Sequence, residues 1–296
     1  MRRGNFAKAW RISDAVLEQR RQTGQTCWDW PRHLQFVWTG GSLRNKRVLV
    51  RCYHGLGDTL QFVRFVAPLR AIAREVTLWA QPELIALIAT ARGVDRVLPL
   101  HDGVVEAEFD VDIEIMELPH ALRLRPSQGA KVPYLTTKPA PVPQPRGLRR
   151  KRVGLVWRSG DWDPRRSLPT RLAAELTKTD GVAFYSLQRG PARRAVRLLD
   201  ATDVSSAQVT VTASRMLALD LVITVDTMTA HLAGALGVPV WTLLGSDCDW
   251  RWMQDRPTSP WYPTMRLFRQ HRAGGWEEVI AEVAQRLGQW ASAPGS

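Results

Sequence analysis

The chain has 296 residues, 45% of them hydrophobic, and its 41 lysines and arginines against 28 aspartates and glutamates give a net charge of +13. This length suffices for two domains with separate cores, and the charge favours acidic partners such as nucleotide phosphates, lipid phosphates, anionic glycans or nucleic acid. Three scattered cysteines argue against a disulfide framework or structural zinc, and the lack of a signal peptide or of a run of about 20 apolar residues predicts a cytoplasmic protein. Loose attachment to the inner face of the membrane stays open.

Residues 1–46 predict a helical and extended lead-in that packs on the first domain. FAKAWRISDAVLEQRR has the apolar spacing of one amphipathic helix, whereas the tryptophan-containing segment after it has no clear period. Residues 47–137 then alternate short apolar runs (RVLVRCY, VTLWA, VDRVLPL, VDIEIMEL) with helical patterns (TLQFVRFVAPLRAIAR, PELIALIATA). This alternation predicts an α/β domain with a parallel sheet covered on both faces.

Residues 138–151, KPAPVPQPRGLRRK, interrupt the alternation. Four prolines in this segment prevent helix or ladder formation, so we expect a stiff interdomain linker. The strand and helix pattern resumes over 152–274, and 275–296 predicts a closing amphipathic helix and tail. The expected architecture is two similar α/β domains with a cleft between them.

The segment LALDLVITVDTMTAHLAGALG carries the strongest site signal in the second domain. Its apolar run predicts a buried strand, and the polar cluster at the strand's carboxyl end opens a helix. That cluster consists of Asp226, Thr227, Thr229 and His231. In an open α/β sheet this edge holds the ligand crevice, and a helix N-terminus there favours an anion such as a diphosphate. For His231, a structural role and a role in the crevice both stay open.

The turn HGLGD in the first domain contains Asp58 after a predicted strand. The turn lacks the third glycine of a GxGxxG motif and is no phosphate-binding P-loop. Two roles for the carboxylate stay open, namely a helix cap and a general base facing the cleft.

Basic and amide side chains follow two strands of the second domain. Arg165 and Arg166 lie in the loop VWRSGDWDPRRSLP, and Gln188 follows the next strand in FYSLQRG. The loop is either a solvated basic surface or a site where guanidinium groups bind diphosphate oxygens. The pattern DxD begins at Asp110, Asp161 and Asp247. Because three occurrences in one chain show how common the pattern is by chance, it is weak evidence for a metal ion. We therefore predict no metal site.

Four runs together resemble glycosyltransferase family 9, the heptosyltransferase-like enzymes. They are HGLGDTLQFVRF, VGLVWRSGD with RRSLP, FYSLQRG and VITVDTMTAHLAGALGVPVWTLL. The resemblance covers about residues 30 to 290 and is strongest to the branch whose members often carry tetratricopeptide repeats ahead of the catalytic part. It implies a GT-B fold with two facing Rossmann-like domains, and a metal-independent, inverting transfer of a hexosyl or heptosyl group.

The resemblance also implies roles for individual residues. Asp58 matches the proposed base for the acceptor hydroxyl, with Gly55, Gly57 and Gln61 on the acceptor side. The donor residues that it implies are Asp226, Thr227, Thr229, His231, Arg166 or its neighbour Arg165, and Gln188 on the ribose side. Met228 stands where the family commonly has a small residue, which narrows the expected approach to the phosphates.

The functional hypothesis is therefore a glycosyltransferase with a nucleotide-diphosphate sugar as donor substrate and no further cofactor. Its partners would be that nucleotide sugar and a hydroxyl of a glycan, a lipid-linked or lipopolysaccharide-type glycan, or a protein. One alternative is a non-catalytic nucleotide-sugar binding module, or a subunit that requires a partner. Specific nucleic-acid binding is not expected, because the basic residues are spread through both halves of the sequence.

Overall fold

The computed structural model describes residues 1–24, 30–35, 37–144, 151–160 and 163–293, apart from the side chain of residue 33. Cys27, Asp161 and residues 145–150 of the predicted linker lie outside the described residues. The chain divides into two compact units, Met1–Thr136 and Thr137–Ser296. Within the described ranges, no helix is both long and apolar enough to cross a membrane.

The described part of the first unit forms a parallel sheet of four strands in the order β3-β2-β1-β4. Its strands are β1 (Arg47–Arg51), β2 (Glu75–Ala80), β3 (Arg96–Pro99) and β4 (Val111–Glu114). Its α-helices are α1 (Phe6–Thr23), α2 (Leu56–Phe62), α3 (Val66–Arg70), α4 (Ile85–Ile88) and α5 (Leu118–Ala121). Short 3-10 helices cover Arg32–Leu34, Val63–Phe65, Pro82–Leu84, Ile115–Glu117 and Pro126–Gln128. The apolar side chains of β1 are buried because this strand has parallel partners on both sides.

The single helix predicted over TLQFVRFVAPLRAIAR is wrong, because α2 and α3 are separated by the 3-10 turn Val63–Phe65. Pro68 is the physical reason. Proline has no N–H to donate to the carbonyl four residues earlier, and its ring clashes with that carbonyl. The carbonyl in question, that of Arg64, instead accepts a 2.8 Å hydrogen bond from the N–H of Ala130.

The strand predicted over VDIEIMEL is also too long, since β4 ends at Glu114. The Glu114 carboxylate accepts a 2.8 Å hydrogen bond from the N–H of Met116 and so caps the 3-10 turn that follows. Pro119 then lies in the first turn of α5, where its missing N–H costs nothing. The chain therefore turns into helix directly after the carboxyl end of β4.

The described part of the second unit forms a parallel sheet of six strands in the order β10-β9-β8-β5-β6-β7. The strands are β5 (Lys151–Val156), β6 (Val182–Ser186), β7 (Ala201–Asp203), β8 (Leu221–Val225), β9 (Val240–Leu244) and β10 (Met265–Arg269). The α-helices are α6 (Thr170–Leu176), α7 (Val209–Met216), α8 (Met228–Leu236) and α9 (Trp276–Ser292), and 3-10 helices cover Pro164–Arg166, Pro191–Leu198 and Trp250–Trp252. The sequence does not predict β7, α7 or the 3-10 helix Pro191–Leu198.

The core of the second unit is closed by α9. The residues of α9 that recur at intervals of three and four are Trp276, Val279, Ile280, Val283 and Leu287, and all are buried. They pack in one cluster with the apolar residues of α6 and of the central strands. The predicted closing amphipathic helix thus buries its apolar stripe in the second unit.

In both sheets the strand order reverses direction between two neighbouring strands. If the strands of the second sheet are numbered along the chain from β5, their order is that of a doubly wound nucleotide-binding fold. The strand order reverses between β5 and β8. The first sheet reverses between β1 and β4. Ligands in open α/β sheets bind at the carboxyl ends of the strands beside such a reversal, so the loops after these strands are the places to seek a site.

Candidate functional site

The turn from β8 into α8 begins the candidate site in the second unit. Thr227 is the N-cap of α8, and its Oγ1 accepts a 3.2 Å hydrogen bond from the N–H of Thr229. The same oxygen lies 3.2 Å from the Oγ1 of Thr224, at the end of the buried strand. These contacts fix the N-terminus of a helix of nine residues at the carboxyl edge of the sheet, where its dipole favours an anion.

Asp226 precedes this cap and is buried. Its Oδ2 lies 3.7 Å from Nη1 of Arg166, which arrives from the loop after β5 across the reversal point of the sheet. Burial raises the pKa of Asp226, and the guanidinium of Arg166 opposes that shift. The buried indole N–H of Trp252 also favours the charged carboxylate, although it makes no hydrogen bond of standard geometry.

The two neighbouring arginines of that loop have different partners. Arg165 is largely exposed, and its guanidinium binds the Asp163 carboxylate through contacts of 2.9 and 3.0 Å. Arg166 is much less exposed, and its buried Nε has no hydrogen-bond partner among the described residues. Of the two candidates, Arg166 is therefore the one that lies in the polar cluster around Asp226.

His231 lies one turn into α8 and is buried between two aromatic rings. Trp252 stacks on its imidazole at 5.1 Å between ring centroids, and the hydroxyl of Tyr262 lies 3.0 Å from Nδ1. Burial lowers the pKa of His231 to about 3, with further lowering from the charges of Arg251 and Arg166. The imidazole is consequently neutral at physiological pH.

Gln188, after β6, connects two loops at the same edge. Its Oε1 accepts from the N–H groups of Trp157 (3.2 Å) and Arg158 (3.0 Å). Its Nε2 donates to the carbonyls of Arg158 (3.2 Å) and Arg189 (3.0 Å). The amide thus uses both donors and accepts two hydrogen bonds within the protein, an arrangement that holds the loop after β5 in place.

Met228 is the first residue of α8 and is half-buried.

A cavity of about 710 Å³ lies farther along the same sheet, at the end of β6, and is lined by Gly190, Pro191, Arg193, Arg194, Val196 and Asp203. None of the residues predicted for the donor lines this cavity. We therefore define the candidate site by the polar cluster around Asp226 and not by this cavity.

The glycine turn of the first unit leads from β1 into α2. Gly55 is the N-cap of α2, Gly57 lies in its first turn, and the Asp58 carboxylate accepts a 2.9 Å hydrogen bond from the Gly55 N–H. Asp58 therefore does cap its helix, and it remains partly exposed. Gln61, one turn later, is completely buried, and its two amide atoms have no hydrogen-bond partner in the described part of the chain.

Four of the DxD carboxylates in the described ranges form ion pairs with arginines. Asp110 pairs with Arg47, which lowers the pKa of Asp110 to about 2 through their hydrogen bonds. Asp112 pairs with Arg51, and Asp163 and Asp249 pair with arginines two residues away. Among the described residues, no group of three or more histidine, cysteine, aspartate or glutamate side chains is arranged to hold a metal ion.

Two residues of the cluster are missing from the sequence prediction. Trp252 and Tyr262 contact His231 from the segments that follow β9 and precede β10. The sequence shows only that aromatic residues crowd this region. Their position after the carboxyl end of β9 is the available signal, because that end lies at the same edge of the sheet as Asp226.

No protein-family model matches the sequence. The protein FlbA of Caulobacter vibrioides is 26% identical over 86% of this chain, and the chain spans about half (48%) of that protein's length. A glycosyl transferase of family 9 from Veillonella parvula superposes with a TM-score of 0.58 at 13% identity, covering 83% of this chain and 90% of that one. The Escherichia coli heptosyltransferase WaaC with ADP-2-deoxy-2-fluoro heptose superposes with a TM-score of 0.53 at 16% identity, covering 80% and 99% of the two chains. At these identities the likeness establishes the fold.

Proposed function

Because the chain has the fold of glycosyltransferase family 9, we propose that it transfers a sugar from a nucleotide-diphosphate donor to a hydroxyl group. The acceptor would be a glycan, a lipopolysaccharide-type glycan or a protein, and the sugar a hexose or heptose. The heptosyltransferase WaaC was solved with an ADP-activated fluoro-heptose, so an ADP-linked heptose is the first donor to test.

The observation that carries the donor site is the Arg166 to Asp226 pair beside the N-terminus of α8. In the transition state the bond from the anomeric carbon to the diphosphate breaks, and negative charge accumulates on the leaving oxygens. A guanidinium and the amide dipoles of a helix N-terminus stabilise that charge without moving. Asp226 would hold Arg166 in place, and the threonines at the cap would bind the diphosphate. Transfer by this route needs no metal ion.

Several predicted donor residues would act through the protein and not by touching the ligand. Gln188 would fix the loop that presents Arg166, since its amide already makes four hydrogen bonds to that loop and its neighbour. His231 would support the helix N-terminus from its buried position between Trp252 and Tyr262. Both would still be required for full donor affinity.

Asp58 would accept the proton of the acceptor hydroxyl as its oxygen attacks the anomeric carbon from the side opposite the diphosphate, which inverts the configuration. The carboxylate is partly exposed, and its hydrogen bond from the Gly55 N–H fixes its position. Gly57 and the turn around it would leave room for the acceptor. A positioned base of this kind typically contributes about 10²- to 10⁴-fold in rate.

The test begins with a panel of nucleotide-diphosphate sugars, because a ligand that binds only the folded chain raises its melting temperature. Donors that stabilise the chain are then assayed for release of the nucleoside diphosphate. Asp58→Asn keeps a side-chain oxygen to accept from Gly55 but is no longer a base. We expect the substitution to reduce turnover by at least about 100-fold with nearly unchanged nucleotide affinity.

Binding of a donor without turnover, across many acceptors, would instead favour a nucleotide-sugar binding module. Full activity of the Asp58→Asn chain would overturn the assignment of the base while leaving the donor site intact.

A further inference from the structure

The reversal point of the first sheet holds a pair of titratable side chains. His54 lies three residues after Arg51, the last residue of β1, and Glu114 is the last residue of β4, where it stands in register with Arg51. The strand order β3-β2-β1-β4 changes direction between these two strands. The pair therefore lies in the part of the sheet where a ligand crevice is expected.

The carboxylate of Glu114 is held rigidly. Only 6% of its side chain is exposed, and its Oε2 accepts a 2.8 Å hydrogen bond from the N–H of Met116. Its other oxygen, Oε1, lies 3.9 Å from Nε2 of His54. This separation exceeds a direct hydrogen bond, but catalytic hydrogen bonds are often long in the absence of substrate and shorten in its presence.

A hydrogen bond from Gln81, after β2, holds the backbone of His54 in place. Its carbonyl accepts a 2.6 Å hydrogen bond from Nε2 of Gln81, which follows β2. Oε1 of the same glutamine accepts a 2.9 Å hydrogen bond from the hydroxyl of Thr59 in α2. The residue after His54, Gly55, donates its N–H to the Asp58 carboxylate. His54 and Asp58 thus belong to one hydrogen-bonded turn.

The imidazole itself remains accessible, since 31% of the His54 side chain is exposed. A partly exposed histidine beside a buried carboxylate is the arrangement in which the acid orients the ring and stabilises its protonated form. Burial raises the pKa of the neighbouring Cys52 thiol, and the Glu114 carboxylate contributes to that shift.

We propose that His54 is a second proton acceptor for the transfer reaction and that Glu114 is its positioning residue. The inference rests on the proposed function. As the acceptor oxygen bonds to the anomeric carbon, the diphosphate leaves with the electron pair of the broken bond, and the hydroxyl proton passes to Asp58. The proton then moves from Asp58 to the imidazole, directly or through one water. This step restores the carboxylate and forms an imidazolium opposite Glu114. In water an imidazole is a stronger base than a carboxylate, so a carboxylic acid can pass its proton to an imidazole.

Chemical rescue provides the test. Release of nucleoside diphosphate is measured with ADP-heptose, UDP-glucose, GDP-mannose and dTDP-rhamnose, with water as acceptor. We expect His54→Ala to lower kcat by roughly 100-fold, with the donor KM within about twofold, and added imidazole to restore part of the loss. Glu114→Gln retains the shape of the side chain and should lower kcat by about 10-fold without rescue, with the melting temperature confirming that the variant folds.

His120→Ala is the matched control. His120 also pairs with a carboxylate of the first unit, with Nε2 2.8 Å from Oδ1 of Asp14, but it lies in α5 and outside the glycine turn. We expect its kcat to equal that of the unaltered chain, with and without imidazole.

The outcomes separate the two proposals. Unchanged kcat in His54→Ala would overturn the second proton acceptor and leave the transferase proposal standing. A fall in kcat with a large rise in donor KM and no imidazole rescue would show that His54 only maintains the structure, and would also overturn it. If the unaltered chain bound a donor but released no nucleoside diphosphate with water or with any acceptor, the transferase proposal would fail, and the inference with it.

Discussion

Nη1 of Arg166 lies 3.7 Å from Oδ2 of Asp226, so the loop after β5 and the turn after β8 meet through one ion pair at the reversal point of the second sheet. The Arg166 side chain is 29% exposed and that of Asp226 is 9% exposed. A carboxylate so deeply buried requires a cationic partner, while the guanidinium retains a face toward solvent. Asp226 is therefore enclosed by the protein, whereas the guanidinium of Arg166 remains accessible to an anion.

Arg166→Gln tests this arrangement. The substitution removes the charge that we propose binds the diphosphate, and it leaves Asp226 buried without its cation. We expect the affinity for the nucleoside diphosphate of the best donor, measured by calorimetry, to fall by about 10- to 100-fold, since a charge-assisted contact contributes about 1.5–3 kcal/mol. Arg286→Gln, on the exposed surface of α9, is the matched control and should bind as the unaltered chain does. Equal affinities in both variants would exclude Arg166 from the donor site.

The two sheets could be predicted from the sequence because parallel strands buried on both faces appear as short uninterrupted apolar runs. β7 could not, because its Ala-Thr-Asp lies at the edge of the sheet and is largely exposed. α7 could not either, since it contains Val209 and Val211 and threonines, which favour strands. The break between α2 and α3 depends on Pro68, but the contact that satisfies the freed carbonyl comes from the distant Ala130. The family 9 fold inferred from the motifs is confirmed by the solved structures that superpose on the chain.

Some residues of the candidate site could also be predicted from the sequence, whereas others depend on contacts between distant segments. Asp226 and Thr227 could be placed from sequence because a buried strand followed by a helix cap fixes their position locally. The choice between Arg165 and Arg166 could not be made, since Arg165 pairs with Asp163 in its own loop, whereas Arg166 pairs with Asp226 in the distant turn after β8. The surroundings of His231 depend on Trp252 and Tyr262, which the fold brings together from later segments. The His54 to Glu114 pair needs the register of β1 with β4, which no local pattern encodes.

The neutral state of His231 predicts a pH-dependent stability. Its folded pKa, about 3, lies below the ordinary value near 6.5, so the unfolded chain binds a proton that the folded chain does not. The stability advantage of the unaltered chain over His231→Gln should be complete above pH 6.5 and decline by about 1.4 kcal/mol per pH unit as the pH falls below it. Urea unfolding of both chains at pH 7, 6 and 5 measures the difference. A difference that stays constant over this range would mean that the imidazole binds its proton at the same pH in the folded and the unfolded chain.

Glu117 predicts a pH dependence of opposite sign. Burial raises its pKa to about 7, so the folded chain resists ionising a carboxyl that the unfolded chain ionises readily. Stability is therefore full below the ordinary value near 4.5 and is lost as the pH rises toward 7. Glu117→Gln keeps an oxygen to accept the 3.3 Å hydrogen bond from the Glu114 N–H.

Because the Glu117 side chain is partly exposed, we expect the substitution to stabilise the chain by only roughly 1–2 kcal/mol at pH 8 and by nothing measurable at pH 4.5. Urea unfolding at both values checks this. Glu282→Gln, at an exposed site in α9, should show no comparable gain at pH 8, and a similar gain there would attribute the effect to net charge.

Gly234 lies where α8 packs closely against the ring of Tyr262, so a larger residue at this position tests that contact. A methyl group at Gly234 would lie 2.4 Å from two carbons of the Tyr262 ring, and that ring cannot retreat without breaking the contact of its hydroxyl with Nδ1 of His231. We expect Gly234→Ala to destabilise the chain by about 1–3 kcal/mol and to weaken donor binding, because His231 and the N-terminus of α8 must shift with the ring. Gly288→Ala is the matched control, since a methyl group there meets nothing within 4 Å on the surface of α9. In that helix the same substitution should stabilise by roughly 0.5–1 kcal/mol. If both variants unfolded at the same urea concentration, Tyr262 would have to be mobile, and the buried arrangement assigned to His231 would not hold.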